Sequence, residues 1–408
     1  MIHHARYPLV CAVIAAAATS FPLSLQAAEK PAPPRIRWEK KLLIKDPNEG
    51  IAIADVNRDG KLDIIAGTAW YSAPDWKSHP IRDLKPMGTN NEFYGNNGDH
   101  AIDLNGDGWV DVLTASWFDD KALWFENPGK EGLERGDKWK MHIATRGHNE
   151  CEGTLLEDLD GDGVPELIIN RWHAHHPLTV FKIELGKNGS PPTFTRHDIG
   201  SNNGHGVAVG DVNGDGRKDI VLIHGWYEAP EADLFASTWK HHKAFGLHHI
   251  SVPFIVTDLT GDGKNDLIIG QGHDYGLYWL EQGPVENGEI TWKRHEIDNS
   301  FSQAHCLAWA DLDGDGKKEL VTGKRWRPHA DADPGAHDPV CLYRYIWDPA
   351  TRTFTRDTIS YDEGVGTGMQ IRFADLDEDG RLDIAVAGKS GTWILFNRGP
   401  ADPAQASK

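Results

Sequence analysis

Short apolar runs alternate with acidic turns along most of this 408-residue chain. In one copy, a β-branched run at 206–209 leads into an acidic segment at 211–219, and a second apolar run at 220–222 follows. Short β-branched runs on either side of a glycine-containing turn are typical of a β-hairpin. The pattern therefore predicts hairpins with acidic turns.

Each acidic turn is a nine-residue segment with oxygen-bearing side chains at positions 1, 3, 5 and 9 and a glycine at position 6. Such a segment can wrap its oxygens round a hard cation, and the glycine permits the bend that this requires. The alternative is an acidic turn that binds nothing. We expect up to seven structural Ca²⁺ ions in seven such turns. The predicted ligands are Asp55, Asn57, Asp59, Asp63, Asp103, Asn105, Asp107, Asp111, Asp158, Asp160, Asp162, Glu166, Asp211, Asn213, Asp215, Asp219, Asp258, Thr260, Asp262, Asp266, Asp311, Asp313, Asp315, Glu319, Asp375, Asp377, Asp379 and Asp383.

The formal net charge of −19 follows from these turns, since they hold 24 of the 61 acidic residues. Seven bound Ca²⁺ ions would leave a net charge of about −5. The acidity therefore indicates metal ligation, and it argues against a nucleic-acid partner.

A second repeat, in which aromatic and polar residues alternate, runs in step with the turns and begins at Trp76, Trp139, Phe194, Trp239, Trp292 and Phe354. The turns recur about every 53 residues, which is room for four strands and their connections. A further copy at 35–44 precedes the first turn, and the last repeat lacks an outer strand. We therefore predict an all-β seven-bladed β-propeller with a Ca²⁺-binding loop in each blade and a ring closed by the N-terminal strand.

The ends of the chain differ from the repeats. Residues 1–27 read as a cleaved secretory signal, 28–35 as a linker, 36–398 as the propeller and 399–408 as a C-terminal tail. We accordingly expect a secreted or periplasmic protein with no membrane span. Cys151, Cys306 and Cys341 remain after cleavage, so at most one disulfide can form.

The seven Asp-x-Asn/Asp-x-Asp-Gly-x-x-Asp segments resemble those of the FG-GAP or VCBS-type propellers over roughly 36–398. That resemblance implies the fold and Ca²⁺ in the turns, but adhesion modules, lectin-like proteins and sugar lyases share it. Residues 204–211 and 225–230 look like the propeller domain of the aldos-2-ulose dehydratases, which eliminate water from keto-sugars such as 1,5-anhydrofructose. The chain lacks the additional C-terminal domains of the fungal enzymes, so an isomerase step is not implied.

The candidate catalytic residues lie in segments that converge at the mouth of the ring opposite the acidic turns. Removing a proton next to a carbonyl and expelling a β-substituent needs a base, an oxyanion stabiliser and an acid. The base is His205 or His305, and the stabiliser is Arg171 or Arg325. Candidates for the acid are Glu152, His224 and His273.

The same mouth carries other candidate residues. Trp172, Trp226, Tyr227, Trp326 and Arg327 could bind a pyranose ring, although tryptophans here could equally pack between blades. A histidine cluster at this face, including His173, His175 and His176, could bind a transition metal instead.

The predicted function is β-elimination from a keto-sugar or uronate-containing glycan. The alternative is a non-enzymatic, Ca²⁺-dependent propeller that binds carbohydrate or protein. A binding module would spread aromatic and polar residues evenly round the ring, whereas His and Arg concentrate in blades 3–6 and favour one pocket. The partner is expected to be a carbohydrate, and the sequence leaves the oligomeric state open.

Overall fold

The computed structural model describes residues 35–401, and these all belong to one compact unit that spans Pro34–Lys408. The predicted signal at 1–27, the linker up to residue 34 and the tail beyond residue 401 lie outside the described residues. A search of residues 35–401 for a helix of sufficient length and hydropathy to cross a bilayer finds none.

Seven antiparallel sheets of four strands each make up the described chain, which confirms the predicted propeller. The strands of blades 1 to 4 are β2 (Ile51–Ala54), β3 (Asp63–Ala66), β4 (Ala69–Ser72), β5 (Lys77–Pro80); β6 (Asp99–Ile102), β7 (Asp111–Ala115), β8 (Lys121–Glu126), β9 (Lys140–Arg146); β10 (Cys151–Glu157), β11 (Glu166–Arg171), β12 (Leu178–Glu184), β13 (Thr193–Gly200); β14 (Val207–Gly210), β15 (Asp219–Leu222), β16 (Gly225–Glu228) and β17 (Lys240–Lys243).

Blades 5 to 7 follow the same order. Their strands are β18 (Ile255–Thr257), β19 (Asp266–Gly270), β20 (Tyr275–Glu286), β21 (Glu289–Ser302); β22 (Ala304–Ala310), β23 (Glu319–Lys324), β24 (Cys341–Asp348), β25 (Thr353–Tyr361); β26 (Ile371–Ala374), β27 (Asp383–Gly388), β28 (Gly391–Pro400), with β1 (Ile36–Ile44) at the edge of blade 7. A short helix, α1 (Gly129–Arg135), joins β8 to β9, and a 3-10 turn (Pro328–Asp331) lies between β23 and β24.

The N-terminal strand closes the ring, as the sequence predicts. Strand β1 pairs antiparallel with β28, so that Trp38 lies opposite Asn397 and Leu42 opposite Trp393. The first strand of the chain thus becomes the outermost strand of the last blade, and it covers an edge that would otherwise offer unpaired backbone groups.

A repeated tryptophan–histidine pair ties the third strand of a blade to its outer strand. In four blades the two rings are cross-strand neighbours, with centroids 4.1 to 4.3 Å apart and planes within 17° of parallel. The pairs are Trp70–His79, Trp124–His142, Trp226–His242 and Trp279–His295. These tryptophans are buried among apolar side chains, so the histidine of the alternating repeat packs against the third strand of its blade.

The topology separates two kinds of polar residue. Every acidic turn joins the innermost strand of a blade to its second strand, as between β14 and β15. Residues at the start of an innermost strand or the end of a second strand lie at the opposite face. Two long connections, 81–98 and 325–340, also reach that face. Cys151, Cys306 and Cys341 are buried free thiols.

Candidate functional site

In the acidic turns, side-chain oxygens accept hydrogen bonds from backbone amides of the same turn, which keeps the turns compact. In the turn at 211–219, Asp211 Oδ2 accepts a hydrogen bond from the Gly216 amide at 2.8 Å. Asp219 is fully buried, and its Oδ2 accepts from the Val212 amide at 2.8 Å. Burial, with a smaller contribution from the carboxylates of Asp215 and Asp211, raises the pKa of Asp219 to about 6. A buried carboxylate among other carboxylates is an environment that a cation would relieve.

Three of the turns bring carboxylate oxygens to within 4.8 Å of one another. These turns have Asp at position 3, where the other four have Asn or Thr. The sets are Asp158, Asp160 and Glu166; Asp311, Asp313, Asp315 and Glu319; and Asp375, Asp377 and Asp383. Their oxygen-only donor chemistry fits a hard cation.

A different cluster occupies the opposite face, where blades 3, 4, 5 and 6 meet. Its members are Glu152 at the start of β10, His205 before β14, His273 after β19 and His305 in β22. His205 Nε2 lies 3.1 Å from His305 Nε2 and 3.0 Å from His273 Nε2. Glu152 Oε1 lies 3.2 Å from His205 Nε2 and 3.2 Å from His305 Nε2. All four side chains are buried.

Hydrogen bonds at Nδ1 of His205 and His273 indicate that Nε2 is the nitrogen available as a metal ligand in each ring. His205 Nδ1 lies 2.8 Å from the Ile250 carbonyl oxygen, and His273 Nδ1 lies 2.7 Å from Asp333 Oδ2. Both oxygens are acceptors, so both Nδ1 atoms carry the proton and both Nε2 atoms present lone pairs. Two lone pairs 3.0 Å apart repel each other unless a cation lies between them.

The cluster therefore fits a divalent transition metal. Zinc takes imidazole and carboxylate ligands at about 2.0–2.2 Å in a tetrahedron, which places the ligand atoms roughly 3.3 Å apart. Four of the six separations between ligand atoms are 3.0 to 3.2 Å, close to that value, and the other two are within 4.8 Å. Outer hydrogen bonds such as the one from His273 to Asp333 are the usual supports of metal-binding imidazoles.

The protonation states of the cluster suit a metal ligand set. Burial lowers the pKa of His305 to about 3 and that of His273 to about 2, so both imidazoles are neutral near pH 7. Burial alone would raise the pKa of Glu152, but His205 and His305 outweigh it and hold that pKa well below its usual value. His273 and His305 thus offer neutral imidazoles, and Glu152 offers a carboxylate.

A cavity of about 320 Å³ adjoins the cluster, and Glu152 is the cluster residue that lines it. Aromatic side chains supply much of its wall, among them Phe93, Trp117 and Phe118, while Asn97 adds a polar group. The loop 81–98 contributes one side and the loop 325–340 the other. The two loops are linked by a hydrogen bond of 3.0 Å from the Ala330 amide to Glu92 Oε2.

Arg325 is a cavity residue whose charge is already balanced. Its Nε and Nη2 atoms donate to the two carboxylate oxygens of Glu49 at 2.6 and 2.7 Å, and both residues are buried. A bidentate pair of this kind fixes the guanidinium in one orientation. Lys389 lies nearby with Nζ 3.7 Å from the centre of the Phe93 ring, and burial lowers the pKa of this lysine to about 8.

His329 is the functional candidate that the sequence reasoning missed. It lines the cavity, its Nδ1 lies 3.0 Å from Asp333 Oδ1, and its ring stacks on His273 with centroids 4.5 Å apart. The backbone at His329 has φ 47°, a left-handed conformation that is uncommon for a residue with a side chain. The signal in the sequence was the long insertion at 325–340 with His and Asp four residues apart, since long loops often carry function.

Trp172 packs beside this cluster, at the mouth where the sequence analysis places it. Its ring stacks on His249 with centroids 4.3 Å apart. It also makes T-shaped contacts with His205 and His273, with centroids 5.2 and 5.1 Å apart. The indole thus shields the imidazoles of the cluster from one side.

Two proposed sugar-binding residues and both proposed bases need correction. Trp226 and Tyr227 lie in β16 with 2% and 1% of their surface exposed, because Trp226 stacks on His242 and Tyr227 packs in the core between blades. They present no face to a ligand. His205 and His305 are 0% exposed with their Nε2 atoms inside the cluster, so neither is placed as a free base.

The remaining predicted residues lie outside the cluster. Arg171 is held by Asn149, with Nη2 2.6 Å from Asn149 Oδ1, and His173 is half exposed with Nε2 3.9 Å from Glu150 Oε2. His224 follows β15, and within residues 35–401 no recorded contact joins it to the cluster.

Trp326 and Arg327 line a second cavity of about 300 Å³. Glu92 lies between this cavity and the first, because it contributes to the walls of both.

Comparison with known proteins identifies the repeat. The model of the FG-GAP-like repeat matches residues 103–169, 158–222 and 258–322. Integrin alpha pat-2 of Caenorhabditis briggsae is 25% identical over 42% of this chain, and its Caenorhabditis elegans counterpart is 27% identical over 30%. These matches span only 17% and 13% of the relatives' own lengths.

The solved structures to which the chain is similar are distant in sequence. An Agrocybe aegerita lectin described as recognising non-reducing terminal N-acetylglucosamine is 15% identical, with a TM-score of 0.44 over 85% of each chain. The exotype rhamnogalacturonan lyase YesX is 14% identical, with a TM-score of 0.44 over 86% of this chain and 72% of its own. The V. cholerae biofilm matrix protein Bap1 is 10% identical, with a TM-score of 0.45 over 90% of this chain and 92% of its own. The chain is a seven-bladed β-propeller in which residues 103–222 and 258–322 match the FG-GAP-like repeat.

Proposed function

We propose that the chain is a metal-dependent carbohydrate lyase or dehydratase that performs β-elimination on a keto-sugar or a uronate-containing glycan. One observation carries this proposal: three imidazole nitrogens converge on the carboxylate of Glu152, and Glu152 also lines an aromatic-walled cavity. Cavities of this size with a few convergent polar groups are typical of small-molecule sites.

Glu152, His205, His273 and His305 would hold the metal, and zinc is the ion that their donor atoms and spacing suit best. A divalent metal held there would supply Lewis-acid polarisation of a carbonyl or carboxylate oxygen, provided that it accepted that oxygen as a fifth ligand in addition to the four protein ligands. The acidity of a C–H bond next to that group rises when its oxygen is polarised. The cavity walls of Phe93, Trp117 and Phe118 offer flat apolar surfaces to a sugar ring.

We assign the proton transfer to His329. Because its Nδ1 donates to Asp333, its Nε2 is left unprotonated and available to the cavity. His329 Nε2 takes the proton next to the carbonyl, the electron pair forms the carbon–carbon double bond, and the β C–O bond breaks. The imidazolium, stabilised by Asp333, returns its proton to the departing oxygen, so that water or an alcohol leaves.

Arg325 has a supporting place in this proposal. Its guanidinium lines the cavity, but Glu49 already accepts two of its hydrogen bonds. The residue therefore shapes the wall and contributes a partly neutralised positive charge. Asn97 adds an amide that can hydrogen-bond a sugar hydroxyl.

We also propose Ca²⁺ as a structural ion in the acidic turns and a secreted or periplasmic location. Each turn places oxygen-bearing side chains at positions 1, 3, 5 and 9, and oxygen atoms are the ligands that Ca²⁺ prefers. The location rests on the signal-like sequence at 1–27 and on the similarity to integrin alpha repeats.

The decisive experiment is elimination monitored by ultraviolet absorbance with 1,5-anhydrofructose, other keto-sugars and uronate polysaccharides. Elimination next to a carbonyl or carboxylate creates a conjugated double bond that absorbs there. We expect metal analysis of the purified chain to find one transition-metal ion in addition to Ca²⁺. His329→Gln should lower kcat by about 10²- to 10⁴-fold and leave the transition-metal content unchanged.

Two variants complete the design. Glu152→Gln should lose the transition metal and the absorbance signal together, whereas His142→Gln, in an outer strand far from the cavity, should keep both. If no substrate yields a chromophore while sugars bind unchanged, the chain is a binding propeller. If His329→Gln retains full activity, the assignment of the base is wrong.

A further inference from the structure

Gln370 and Arg372 form an unusual pair of hydrogen-bond donors in the central channel. Gln370 immediately precedes β26 and Arg372 lies within it, so the alternation of a strand places both side chains on the same side. Both line a small cavity of about 30 Å³ together with Gly98, Thr154 and Val252. Residues of blades 2, 3, 5 and 7 therefore meet at this point.

The amide of Gln370 has a fixed orientation. Its Oε1 accepts hydrogen bonds from the Ile51 amide at 2.8 Å and the Asp99 amide at 2.9 Å. Two backbone donors on one side-chain atom identify that atom as oxygen, so Nε2 must carry the hydrogens. Gln370 is 3% exposed, and its Nε2 has no hydrogen-bond acceptor.

Arg372 is a cation without a paired carboxylate. Its one recorded hydrogen bond is a long one, from Nη1 to the Ile371 carbonyl oxygen at 3.5 Å. Within residues 35–401 no carboxylate lies in ion-pair range of it. Asp99, which is near enough to influence Arg372, is instead paired with Arg82 at 2.6 Å. Burial lowers the pKa of Arg372, yet a guanidinium stays charged at neutral pH.

Among residues 35–401, the charged groups nearest to Arg372 are Arg82 and Asp99, and these neutralise each other. Burial lowers the pKa of His100, beside Arg372, to about 3, so its imidazole is neutral. A wider cavity of about 430 Å³, which Arg372 and His100 also line, adjoins the small one and gives it room for exchange.

We propose that the small cavity binds one monovalent, halide-sized anion between the Arg372 guanidinium and Gln370 Nε2. The cavity has room for at least one water-sized guest. It offers one guanidinium charge, which balances a single negative charge and would leave the second charge of sulfate uncompensated. Water would accept both hydrogen bonds but would leave the guanidinium charge unbalanced. An anion satisfies both donors and balances the charge, which matters most where water is scarce.

The anion would hold together strands of several blades at the centre of the ring. Its site touches the innermost strands of several blades and lies one to two residues below Glu152, through Gly153 and Thr154. Halide binding should therefore stabilise the assembled ring. This site is independent of the proposed lyase activity, because none of its groups belongs to the metal cluster.

The test is the melting temperature of the full chain at constant ionic strength and saturating Ca²⁺, with sodium gluconate replaced stepwise by chloride or bromide. We expect a saturable rise of about 3 °C, because an anion bound only by the folded state stabilises it by mass action. Sulfate at matched ionic strength should not reproduce the rise. Arg372→Met should abolish the halide response, and Arg146→Met, an exposed control, should retain it.

A second measurement covers the case in which Arg372→Met fails to fold. Crystals of the unaltered chain grown in bromide should show an anomalous peak between Arg372 and Gln370 Nε2. A melting temperature that is the same in chloride and gluconate, an equal rise in sulfate, or the lack of a bromide peak there would each overturn the proposal.

Discussion

Asp333 is a single carboxylate that orients two imidazoles with different tasks. Its Oδ2 accepts the Nδ1 proton of His273, and its Oδ1 accepts that of His329. Burial alone would raise the pKa of Asp333, but hydrogen bonds and charge from the two histidines hold it well below its usual range. The proposed metal ligand and the proposed base therefore share one positioning residue.

We predict that Asp333→Asn weakens binding of Zn²⁺ by about 10- to 100-fold, because the outer hydrogen bond holds the ring of His273 and raises its basicity. Competition against a chromophoric chelator measures the affinity directly and does not depend on turnover. Asp338→Asn is a matched control in the same loop, since Asp338 Oδ2 accepts from the Tyr275 hydroxyl at 2.5 Å. Equal affinities in the two variants would remove Asp333 from the metal site.

Asp46 gives a pH prediction at the scale of one residue. Burial raises its pKa from 3.8 to about 6, against a weaker lowering by the Asn48 amide, and its Oδ1 is buried without a hydrogen-bond partner. The folded chain therefore holds this proton more tightly than the unfolded chain does. Stability from this group is present below pH 4 and falls as the pH rises towards 6.

Asp46→Asn replaces the titrating carboxyl group with a neutral amide, so it should remove the loss of stability that Asp46 causes as the pH rises towards 6. We expect its melting temperature to exceed that of the unaltered chain above pH 6, with the difference shrinking to little below pH 4. Taking the difference cancels the titration of all other groups. Asp75→Asn, at an exposed position, serves as the control and should show no such pH-dependent gain. A constant difference across the range would contradict the buried-charge explanation.

Residue-level sequence reasoning succeeded where a side chain followed the repeat. His205 and His305 share a register before or at the start of an innermost strand, and the structure brings them to within 3.1 Å of each other. The reasoning failed for Trp226, because the third strand starts at Gly225 and turns the indole into the Trp–His stack. His329 lies in an insertion, where no repeat register exists to place it.

At the scale of the element, basic side chains balance part of the negative charge of the acidic turns. The turns with Asp at position 3 each receive a basic side chain from the third strand of their own blade. Lys182 contacts Asp160, Arg344 Nη1 lies 3.1 Å from Asp313 Oδ2, and Arg398 contacts Asp377. In these three turns the basic side chain offsets the charge of the carboxylate at position 3.

We predict that Lys182→Met makes its blade more dependent on Ca²⁺. Without the ammonium, Asp160, Asp162 and Glu166 repel one another whenever the turn lacks its ion. The gap between the melting temperatures with Ca²⁺ and with excess chelator should widen by about 2 °C or more. Lys77→Met, in the blade whose turn has Asn57, should leave the gap unchanged. A gap that does not widen in Lys182→Met would mean that the lysine is not balancing the turn.

The elements themselves were predictable to the extent that they repeat. Period-two apolar runs and regularly spaced turns define four strands per blade, and the structure has four in each of seven sheets. The connections 81–98 and 325–340 could not be placed, since their conformations depend on contacts with each other, such as that from Glu92 to Ala330. These two loops form much of the candidate site, which explains why the fold was predicted more completely than the site.

At the scale of the whole molecule, closure depends on one strand. Strand β1 runs along β28 from the pair Ile36–Pro400 to the pair Ile44–Thr392. Its buried and half-buried side chains pack into two core clusters: Ile36 and Trp38 join one, and Leu43 and Ile44 join the other. The strand thus bonds the last blade and also packs against its neighbours on both sides.

We predict that a chain beginning at residue 45 loses the cooperative unfolding of one that begins at residue 35. The two chains differ only by β1, so the comparison isolates that strand. Without it, β28 exposes a row of unpaired backbone groups and two apolar clusters lose part of their cover, which favours aggregation through the free edge. Calorimetry and size-exclusion chromatography of both chains in saturating Ca²⁺ measure the effect. A monomeric chain from residue 45 with an unchanged melting temperature would show that the ring holds together without β1, and that packing between blades alone suffices.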